Sequence, residues 1–243
     1  MSTSGRLGRL RDWIFSIPTL VAFGLTLVWY DTRGRIALRT GLRSFENVMA
    51  DLQAALLKVF AISGVAVQFE GRDRFADRGG FLFISNHQSM FDVPIFGGAL
   101  TENYPKYVAK SELARGIPSV SLNLKRGGNA LINRGDREQA IEAIAEMGRA
   151  CEERDVSAVI FPEGTRSRDG SLGAFRTGGA MALLEAAPNL SVIPTVIDGS
   201  WKVFRDNMLP VPYGTAVRVR FGEPIARHAE ESVEAIVVSL IHI

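Results

Sequence analysis

The segment FLFISNHQSMFD, residues 81–92, places a polar loop directly after a nearly continuous apolar run. Apolar runs of this kind are typical of strands that are covered on both faces, as in parallel sheets. Short runs of similar character recur along the chain from residue 65 onward. We predict strands at VAVQF (65–69), FLFIS (81–85), KYVAK (106–110), NALIN (129–133), SAVIF (157–161), LSVIPTVI (190–197) and VRVRF (217–221).

Helical segments separate several of these runs. We predict helices at about residues 90–100, 136–153, 176–187 and 229–240. Asp136 followed by Gln139 resembles a capping box and marks the start of the second helix in this series. The alternation predicts an α/β fold: a single domain over residues 64–243, with a largely parallel or mixed central sheet flanked by helices.

Residues 1–63 have a different character. Residues 13–30, WIFSIPTLVAFGLTLVWY, carry no charge and have aromatic side chains at both margins, as segments at membrane interfaces do. This run lies near the lower limit of about 17 to 25 residues for a spanning helix, and Pro18 is expected to disturb its first turns. Residues 43–62 repeat apolar side chains at helical spacing. We predict an N-terminal membrane-associated helical pair that spans the bilayer or lies in its surface, and the alternative for the second helix is packing on the body.

Charge is distributed unevenly along the chain. Residues 1–43 carry seven arginines and two aspartates, whereas the whole chain has a net charge of +2. A basic end beside an apolar segment predicts attraction to an anionic membrane surface. The body does not interleave aromatic and basic residues as a nucleic-acid groove requires, so we expect no nucleic-acid partner. One cysteine and three histidines cannot build a Cys/His zinc site, and we expect neither a metal nor a cofactor.

The loop after the predicted strand at 81–85 contains a candidate catalytic pair. His87 follows Asn86 at the carboxyl end of the strand, where functional loops of α/β sheets gather, and Asp92 comes shortly after. A neutral imidazole can accept a proton near neutral pH, and an aspartate can orient it. The chain has no G-x-S-x-G nucleophile elbow, so a substrate hydroxyl would attack an acyl donor directly. The alternative is a structural loop in which Asn86 caps a helix.

A second polar loop, FPEGTRS at residues 161–167, follows SAVIF. If SAVIF runs parallel to FLFIS, the two loops lie at one edge of the sheet. Gly164 allows a ligand to approach the backbone, and the Arg166 guanidinium matches the oxygens of a phosphate. Arg134, directly after NALIN, is a further basic candidate. The alternative is an exposed turn with a surface Glu–Arg pair.

The two motifs, in this order, resemble the glycerolipid acyltransferase family, specifically the 1-acyl-sn-glycerol-3-phosphate acyltransferases. The family pattern N-H-x-x-x-x-D is matched by Asn86, His87 and Asp92, and F-P-E-G-T-R-S is matched without a change. GNALINR, residues 128–134, is similar to the family's Gly-x-x-Phe-Ile-x-Arg block, with Leu131 in place of the aromatic residue. VIPTVIDGS and VRVRFGEPI are similar to the later blocks. The resemblance covers about residues 65–225.

The resemblance implies transfer of an acyl group from acyl-CoA or acyl-acyl carrier protein to the sn-2 hydroxyl of lysophosphatidic acid, giving phosphatidic acid. His87 would act as the general base, and Asp92 would orient it. The acceptor-binding positions that the resemblance implies are Arg134, Glu163, Gly164, Thr165 and Arg166. The implied location is the cytoplasmic face of the cell inner membrane, with the protein either monotopic or single-span.

Two other kinds of function stay open on the sequence. The same pair could acylate another lysolipid, such as a lyso-ornithine lipid or a lysophospholipid. The body could instead be an esterase or a non-catalytic lipid-binding module. The missing nucleophile argues against the esterase, and the intact His–Asp pair argues against the binding module.

Overall fold

The computed structural model describes residues 3–133, 135–205 and 208–227. The helices in these ranges are α1 (Thr3–Ala37), α2 (Leu42–Ala61), α3 (Asp92–Ala99), α4 (Val120–Arg126), α5 (Arg137–Arg154) and α6 (Thr177–Ala186). The strands are β1 (Ala66–Glu70), β2 (Phe81–Ser85), β3 (Lys106–Lys110), β4 (Ala130–Ile132), β5 (Ala158–Ile160), β6 (Ser191–Asp198) and β7 (Ala216–Phe221). Short 3-10 helices lie at Arg72–Arg74, Ser111–Ala114 and Ser200–Phe204. Each predicted strand is therefore present.

The strands form one sheet in the order β1-β7-β6-β2-β5-β3-β4. Neighbouring strands are parallel, except that β6 and β7 are antiparallel. This confirms the predicted α/β fold with a largely parallel, mixed sheet. β2 and β5 are parallel neighbours, with Ile84 opposite Ile160. Their carboxyl ends therefore lie at one edge, and the two polar loops leave the sheet side by side.

Both faces of the central strands are covered, which explains their continuous apolar character. Successive side chains of a strand point to opposite faces. Leu82 and Ile84 pack in one cluster with side chains of α5 and α6, such as Leu183. Phe83 packs in a second cluster with Phe60 of α2 and with side chains of α3. These two sides of the sheet are called below the α5/α6 face and the α2/α3 face.

The body helices largely follow the sequence prediction. The predictions at 90–100, 136–153 and 176–187 correspond to α3, α5 and α6. The helix predicted at 229–240 lies outside the described residues. The short helix α4 has no counterpart in the prediction.

Asp136 caps α5 as predicted, because its side chain accepts the Gln139 N–H at 3.0 Å. The other half of the capping box is absent. The Gln139 amide instead donates to the Leu131 carbonyl and accepts the Asn133 N–H. These contacts tie the start of α5 to β4.

Helix α1 is longer than the uncharged run and continues without a break through Pro18. The disturbance expected at Pro18 does not end the helix, which contains Pro18 in its interior. Leu7–Ala37 is long and apolar enough to cross a membrane, judged by length and composition alone. Large apolar side chains are exposed along it: Leu7, Leu10, Ile14, Ile17, Val21, Leu25, Val28 and Trp29.

Helix α2 buries its apolar face. Phe45 is 0% exposed, Leu52 is 1% exposed and Phe60 is 4% exposed. These side chains pack against α1 and against the α2/α3 face of the sheet. The second helix therefore packs on the body, which is the alternative that the sequence left open. A long row of exposed apolar side chains stays on α1.

A buried ion cluster joins α2 to the body. The Glu46 carboxylate contacts the Lys106 ammonium and lies 2.7 Å from the Arg154 guanidinium. Glu46 and Lys106 are each 4% exposed. Burial by itself raises the pKa of Glu46, but Lys106 and Arg154 outweigh it and hold that pKa below its ordinary value. Burial lowers the pKa of Lys106, and the Glu46 carboxylate opposes this effect.

Removing the Glu46 carboxylate is expected to destabilise the protein by about 3 to 5 kcal/mol, because Lys106 would keep a buried charge without its counter-ion. Urea denaturation of Glu46→Ala in detergent should show this loss in the free energy of unfolding. Asp51→Ala is the matched control on α2. Asp51 pairs with Arg33 at the surface, so its removal should cost less than about 1 kcal/mol.

The Glu46 effect should also depend on pH. A carboxyl whose pKa is lowered by folding stabilises the protein fully above its unfolded pKa, and this stabilisation is lost as the pH falls through the folded pKa. The stability difference between wild type and Glu46→Ala should therefore narrow in acid. Equal losses for Glu46→Ala and Asp51→Ala would contradict the buried cluster as the tie between α2 and the body.

Candidate active site

His87 and Asp92 lie in contact at the carboxyl end of β2. The distance from His87 Nδ1 to Asp92 Oδ2 is 2.8 Å. The Asp92 side chain is fully buried, whereas 17% of the His87 side chain is exposed. An ionised carboxylate only accepts hydrogen bonds, so this contact assigns the imidazole proton to Nδ1. In the part of the chain that the structure describes, no group bonds Nε2, which keeps its lone pair.

Several hydrogen bonds satisfy the buried Asp92 carboxylate. Its Oδ2 accepts the Gln88 N–H at 2.7 Å and the Ser89 N–H at 2.8 Å. Its Oδ1 accepts the Ser200 hydroxyl at 2.5 Å. A bare carboxylate is strongly disfavoured by burial, and these donors together with His87 stabilise its charge. These hydrogen bonds therefore hold the Asp92 carboxylate in place next to Nδ1 of His87.

Ser200 is a site residue that the sequence did not reveal. It is fully buried at the start of the 3-10 helix after β6. The preceding Gly199 turns the chain with a φ of 87°, and a Cβ there would lie 2.6 Å from the Ala216 carbonyl oxygen. The VIPTVIDGS block marked this region, but the contact with Asp92 arises only because β6 lies beside β2.

Asn86 fixes the point at which the loop leaves the sheet. Its side-chain amide donates to the Ile197 carbonyl and accepts the Ile197 N–H, both at 2.8 Å. This pair takes the place of a ladder contact between β2 and β6. The alternative in which Asn86 caps the following helix is wrong, because Phe91 stands at the N-cap of α3.

Glu163 joins the His87 loop to the loop after β5. Its carboxylate accepts the His87 N–H at 2.7 Å and the Gly173 N–H at 2.8 Å. The Ser167 N–H donates to the His87 carbonyl at 2.8 Å, and the Phe161 ring stacks on the imidazole with 4.1 Å between centroids. Glu163 is 3% exposed, and its buried carboxylate holds the two loops together through these hydrogen bonds. This differs from the direct acceptor contact that the resemblance implies.

The rest of this second loop is exposed. Gly164 has a φ of 63°, in the left-handed region that glycine adopts without strain. Thr165 and Arg166 follow it with exposed side chains. Among the described residues, the Arg166 guanidinium forms no hydrogen bond or ion pair, so the surface Glu–Arg alternative is not formed there. Arg134 lies outside the described residues, and its convergence on this site stays a prediction.

The sequence is similar to those of known acyltransferases. A sequence-family model described as Acyltransferase matches residues 66–198. The chain is 29% identical over 210 residues to a 1-acyl-sn-glycerol-3-phosphate acyltransferase of Limnanthes douglasii, covering 85% of this chain and 69% of the relative. It is 33% identical over 119 residues to the enzyme of that name from Escherichia coli (strain K12), covering 49% and 47%. The chain thus spans about half to two thirds of these relatives.

The fold has a solved counterpart. The crystal structure of the 1-acyl-sn-glycerophosphate (LPA) acyltransferase from Thermotoga maritima superposes with a TM-score of 0.75. The alignment covers 96% of this chain and 92% of that one, at 21% sequence identity. At this identity the likeness shows a shared fold, including the helical pair before the sheet.

Removing the Ser200 hydroxyl is expected to cost about 1 to 3 kcal/mol, because the buried Asp92 Oδ1 would lose its donor. Urea denaturation of Ser200→Ala should show the loss. Ser171→Ala is the matched control, since its hydroxyl also bonds an aspartate at 2.5 Å, but in an exposed loop. The control should unfold at nearly the wild-type urea concentration. If the two variants lost the same free energy of unfolding, the Ser200 hydroxyl would not stabilise the Asp92 carboxylate.

Proposed function

The chain belongs to the Acyltransferase family, and we propose that it transfers a fatty acyl group from an acyl thioester to the sn-2 hydroxyl of lysophosphatidic acid, giving phosphatidic acid. The observation that carries this proposal is the contact between His87 and Asp92. The exposed loop that contains Arg166 is bonded to the His87 loop, because the Ser167 N–H donates to the His87 carbonyl. The names of the curated relatives support lysophosphatidic acid as the acceptor.

In the proposed reaction His87 is the general base. Its Nε2 accepts the proton of the acceptor hydroxyl while the hydroxyl oxygen bonds to the thioester carbonyl carbon. The C–S bond then breaks, and the sulfur leaves with the bonding electron pair. The pKa of an ordinary thiol, about 8.5, makes the thiolate a good leaving group, and the imidazole proton can return to it. Asp92 holds the imidazole in orientation and stabilises its charged form.

An esterase triad would need a hydroxyl or thiol at Nε2 of His87. Ser85 and Ser89, the nearest hydroxyls in sequence, are bonded to neighbouring backbone groups. Cys151 is buried on α5, and burial raises the pKa of its thiol to about 12, which makes it a poor nucleophile. The described residues therefore favour attack by the substrate's own hydroxyl.

We assign the acceptor phosphate to the loop after β5. The exposed Arg166 guanidinium can bind a phosphate through two parallel N–H···O bonds. Gly164 lets a ligand approach the backbone, and the Thr165 hydroxyl lies beside it in the chain. Arg134 is the predicted second cation. Glu163 acts indirectly, because it positions both loops and carries no free oxygen.

Arg166 also bears on the alternative acceptors. A lyso-ornithine lipid has no phosphate, and a lysophospholipid with an alcohol headgroup holds its phosphate as a diester. Lysophosphatidic acid presents a phosphomonoester with more charge and more free oxygens. The paired N–H donors of a guanidinium bind such a phosphomonoester more strongly than they bind a diester or an uncharged group.

We infer that α1 brings the enzyme to its lipid acceptor. Arg9 and Arg11 lie near the start of its exposed apolar row, and Arg33 and Arg35 follow the end of the row. Apolar insertion combined with attraction to anionic lipids stabilises such a helix at a membrane surface. The proposed location is the cytoplasmic face of the cell inner membrane, where acyl-CoA or acyl-acyl carrier protein supplies the acyl group.

His87→Ala should reduce turnover by about 10² to 10⁴, the usual contribution of a general base. Asp92→Asn should also be severe, because an amide can stabilise the wrong imidazole tautomer. Turnover is measured as phosphatidic acid formed from acyl-CoA and lysophosphatidic acid, and thermal unfolding of each variant checks that the fold is intact. A folded His87→Ala variant that keeps more than half of the wild-type turnover would exclude His87 as the base.

Arg166→Ala should weaken the use of lysophosphatidic acid selectively. Losing a guanidinium partner of the phosphate should cost about 2 kcal/mol, or about 30-fold in kcat/KM. A monoacylglycerol has no phosphate, so its already low rate should barely change. Arg168→Ala removes the same charge from the same loop and serves as the control, with a smaller loss expected. An equal proportional loss for both acceptors would move the phosphate site elsewhere.

A further inference from the structure

Helix α1 lies lengthwise on the body. Near its start, the Tyr213 N–H donates to the Asp12 carboxylate at 3.0 Å. Towards its end, the Ser119 N–H donates to the Asp31 carboxylate at 2.8 Å. At about 1.5 Å per residue these two contacts are about 28 Å apart along the helix, close to the thickness of about 30 Å of a bilayer's hydrocarbon core. A helix bonded to the body over this length contacts lipid by lying along the membrane surface.

A second segment borders the exposed apolar row of α1. Residues 110–126, called below the flanking segment, contain the second of the 3-10 helices and α4. The Ser119 hydroxyl donates to the Leu27 carbonyl of α1, and apolar side chains of α4 pack in the cluster that contains Leu27. Val28, the next residue of α1, is 56% exposed and belongs to the row. The flanking segment therefore lies beside the lipid-facing side of α1.

The position of the flanking segment against α1 is fixed. Ser119 is fully buried and has a φ of 59°, which residues with a side chain rarely adopt. Such a conformation persists only where surrounding contacts determine it, and the two hydrogen bonds from Ser119 to α1 do so. Gly34 of α1 allows the close approach of α4, because a Cβ there would lie 3.2 Å from a methyl carbon of Leu122.

The flanking segment extends the apolar surface of α1. Leu113 is 41% exposed and Ile117 is 36% exposed. Ser121 holds these two residues together, because its hydroxyl donates to the Leu113 carbonyl and accepts the Ile117 N–H, both at 3.0 Å. Exposed apolar side chains that adjoin one another mark contact sites for proteins or membranes. Continuity with the row on α1 favours a membrane here.

The charge of the flanking segment suits an anionic surface. Four of its residues are Lys or Arg, and one is Glu. Arg115, Lys125 and Arg126 are exposed, and none of them forms an ion pair within the part of the chain that the structure describes. Unpaired cations beside exposed apolar side chains are the pattern of a segment that binds anionic lipids at their headgroups.

We propose that the flanking segment is a second membrane contact, which docks with α1 on an anionic phospholipid surface. The inference rests on the proposed function, since the acceptor there is a membrane lipid. Leu113 and Ile117 insert at the boundary between headgroups and acyl chains. Arg115, Lys125 and Arg126 bind lipid phosphates. A single helix on a membrane leaves the body free to rotate about the helix axis. The second contact stops this rotation and fixes which edge of the sheet faces the lipid.

Vesicle binding tests the surface without requiring turnover. Ile117→Ser should bind vesicles of phosphatidylcholine mixed with phosphatidylglycerol at least about fivefold more weakly, because an apolar side chain no longer enters the lipid. Val196→Ser is the matched control. Val196 is 39% exposed, but by strand alternation it shares a face with Val192, which packs on the α5/α6 face. The control should bind like wild type. Leu113→Ser gives the same test if Ile117→Ser does not fold.

The basic residues have a separate test. Arg115→Gln should weaken binding to the mixed vesicles more than binding to vesicles of phosphatidylcholine alone, and the difference should shrink at high salt. Arg149→Gln removes the same charge from α5, where the Arg149 guanidinium pairs with Glu142 at 2.7 Å. This control should keep the wild-type affinity for both kinds of vesicle.

A fluorescent label locates the segment directly. Ile117→Cys and Val196→Cys are each labelled with a nitrobenzoxadiazole dye, and the natural Cys151 is buried. Lipids that carry a nitroxide in their acyl chains should quench the label at 117 and leave the label at 196 bright. Wild-type vesicle affinity in a folded Ile117→Ser or Leu113→Ser variant, or an unquenched label at 117, would overturn the proposal. A wild-type dimer in detergent that Ile117→Ser dissociates would overturn it as well, because the patch would join copies of the chain.

Turnover separates this surface from the proposed function. Ile117→Ser should lose activity on lysophosphatidic acid embedded in vesicles and keep it on a short-chain lysophosphatidic acid dispersed as monomers. If vesicle binding falls as expected but wild type forms no phosphatidic acid, the proposed acceptor fails and the surface stands. If wild type forms phosphatidic acid and the folded variants bind vesicles normally, the surface fails and the proposed function stands.

Discussion

The geometry of the site depends on one buried charge, the Asp92 carboxylate. A carboxylate without exposure is stable only when donors surround it, and those donors come from separate parts of the fold. The His87 loop supplies its imidazole and two backbone N–H groups, and the turn after β6 supplies the Ser200 hydroxyl. Satisfying Asp92 therefore fixes the imidazole, the loop and the end of β6 in relation to one another. Because Nδ1 of His87 donates to Asp92, the lone pair of the imidazole is on Nε2.

The sheet gives this charge its surroundings. β2 lies between β5 and β6, so the His87 loop has neighbours on both sides. Glu163 binds it from the β5 side, and Asn86 anchors it to Ile197 on the β6 side. Helices α2 and α3 cover one face of the sheet, and helices α5 and α6 cover the other.

The sequence predicted those features that depend on local pattern. β2 and β5 were predicted from their apolar runs, which are continuous because both of their faces are covered. The short spacing between His87 and Asp92 predicted that both residues lie close to the end of β2. Ser200 was not found because it is 108 residues from Asp92, and only the strand order brings them together. The sequence also could not show that the Glu163 oxygens accept the His87 and Gly173 N–H groups. The apolar face of α2 was ambiguous, since lipid and protein satisfy such a face equally well.

The central claim is that the acceptor hydroxyl takes the place of a protein nucleophile at His87. The most direct measurement mixes the enzyme with acyl-CoA alone, follows free thiol release at early times, and weighs the intact protein by mass spectrometry. Direct transfer predicts no burst of thiol and no acylated protein, with thiol appearing only when lysophosphatidic acid is added. A burst of thiol equal to the enzyme concentration, together with a protein heavier by one acyl group, would contradict this account.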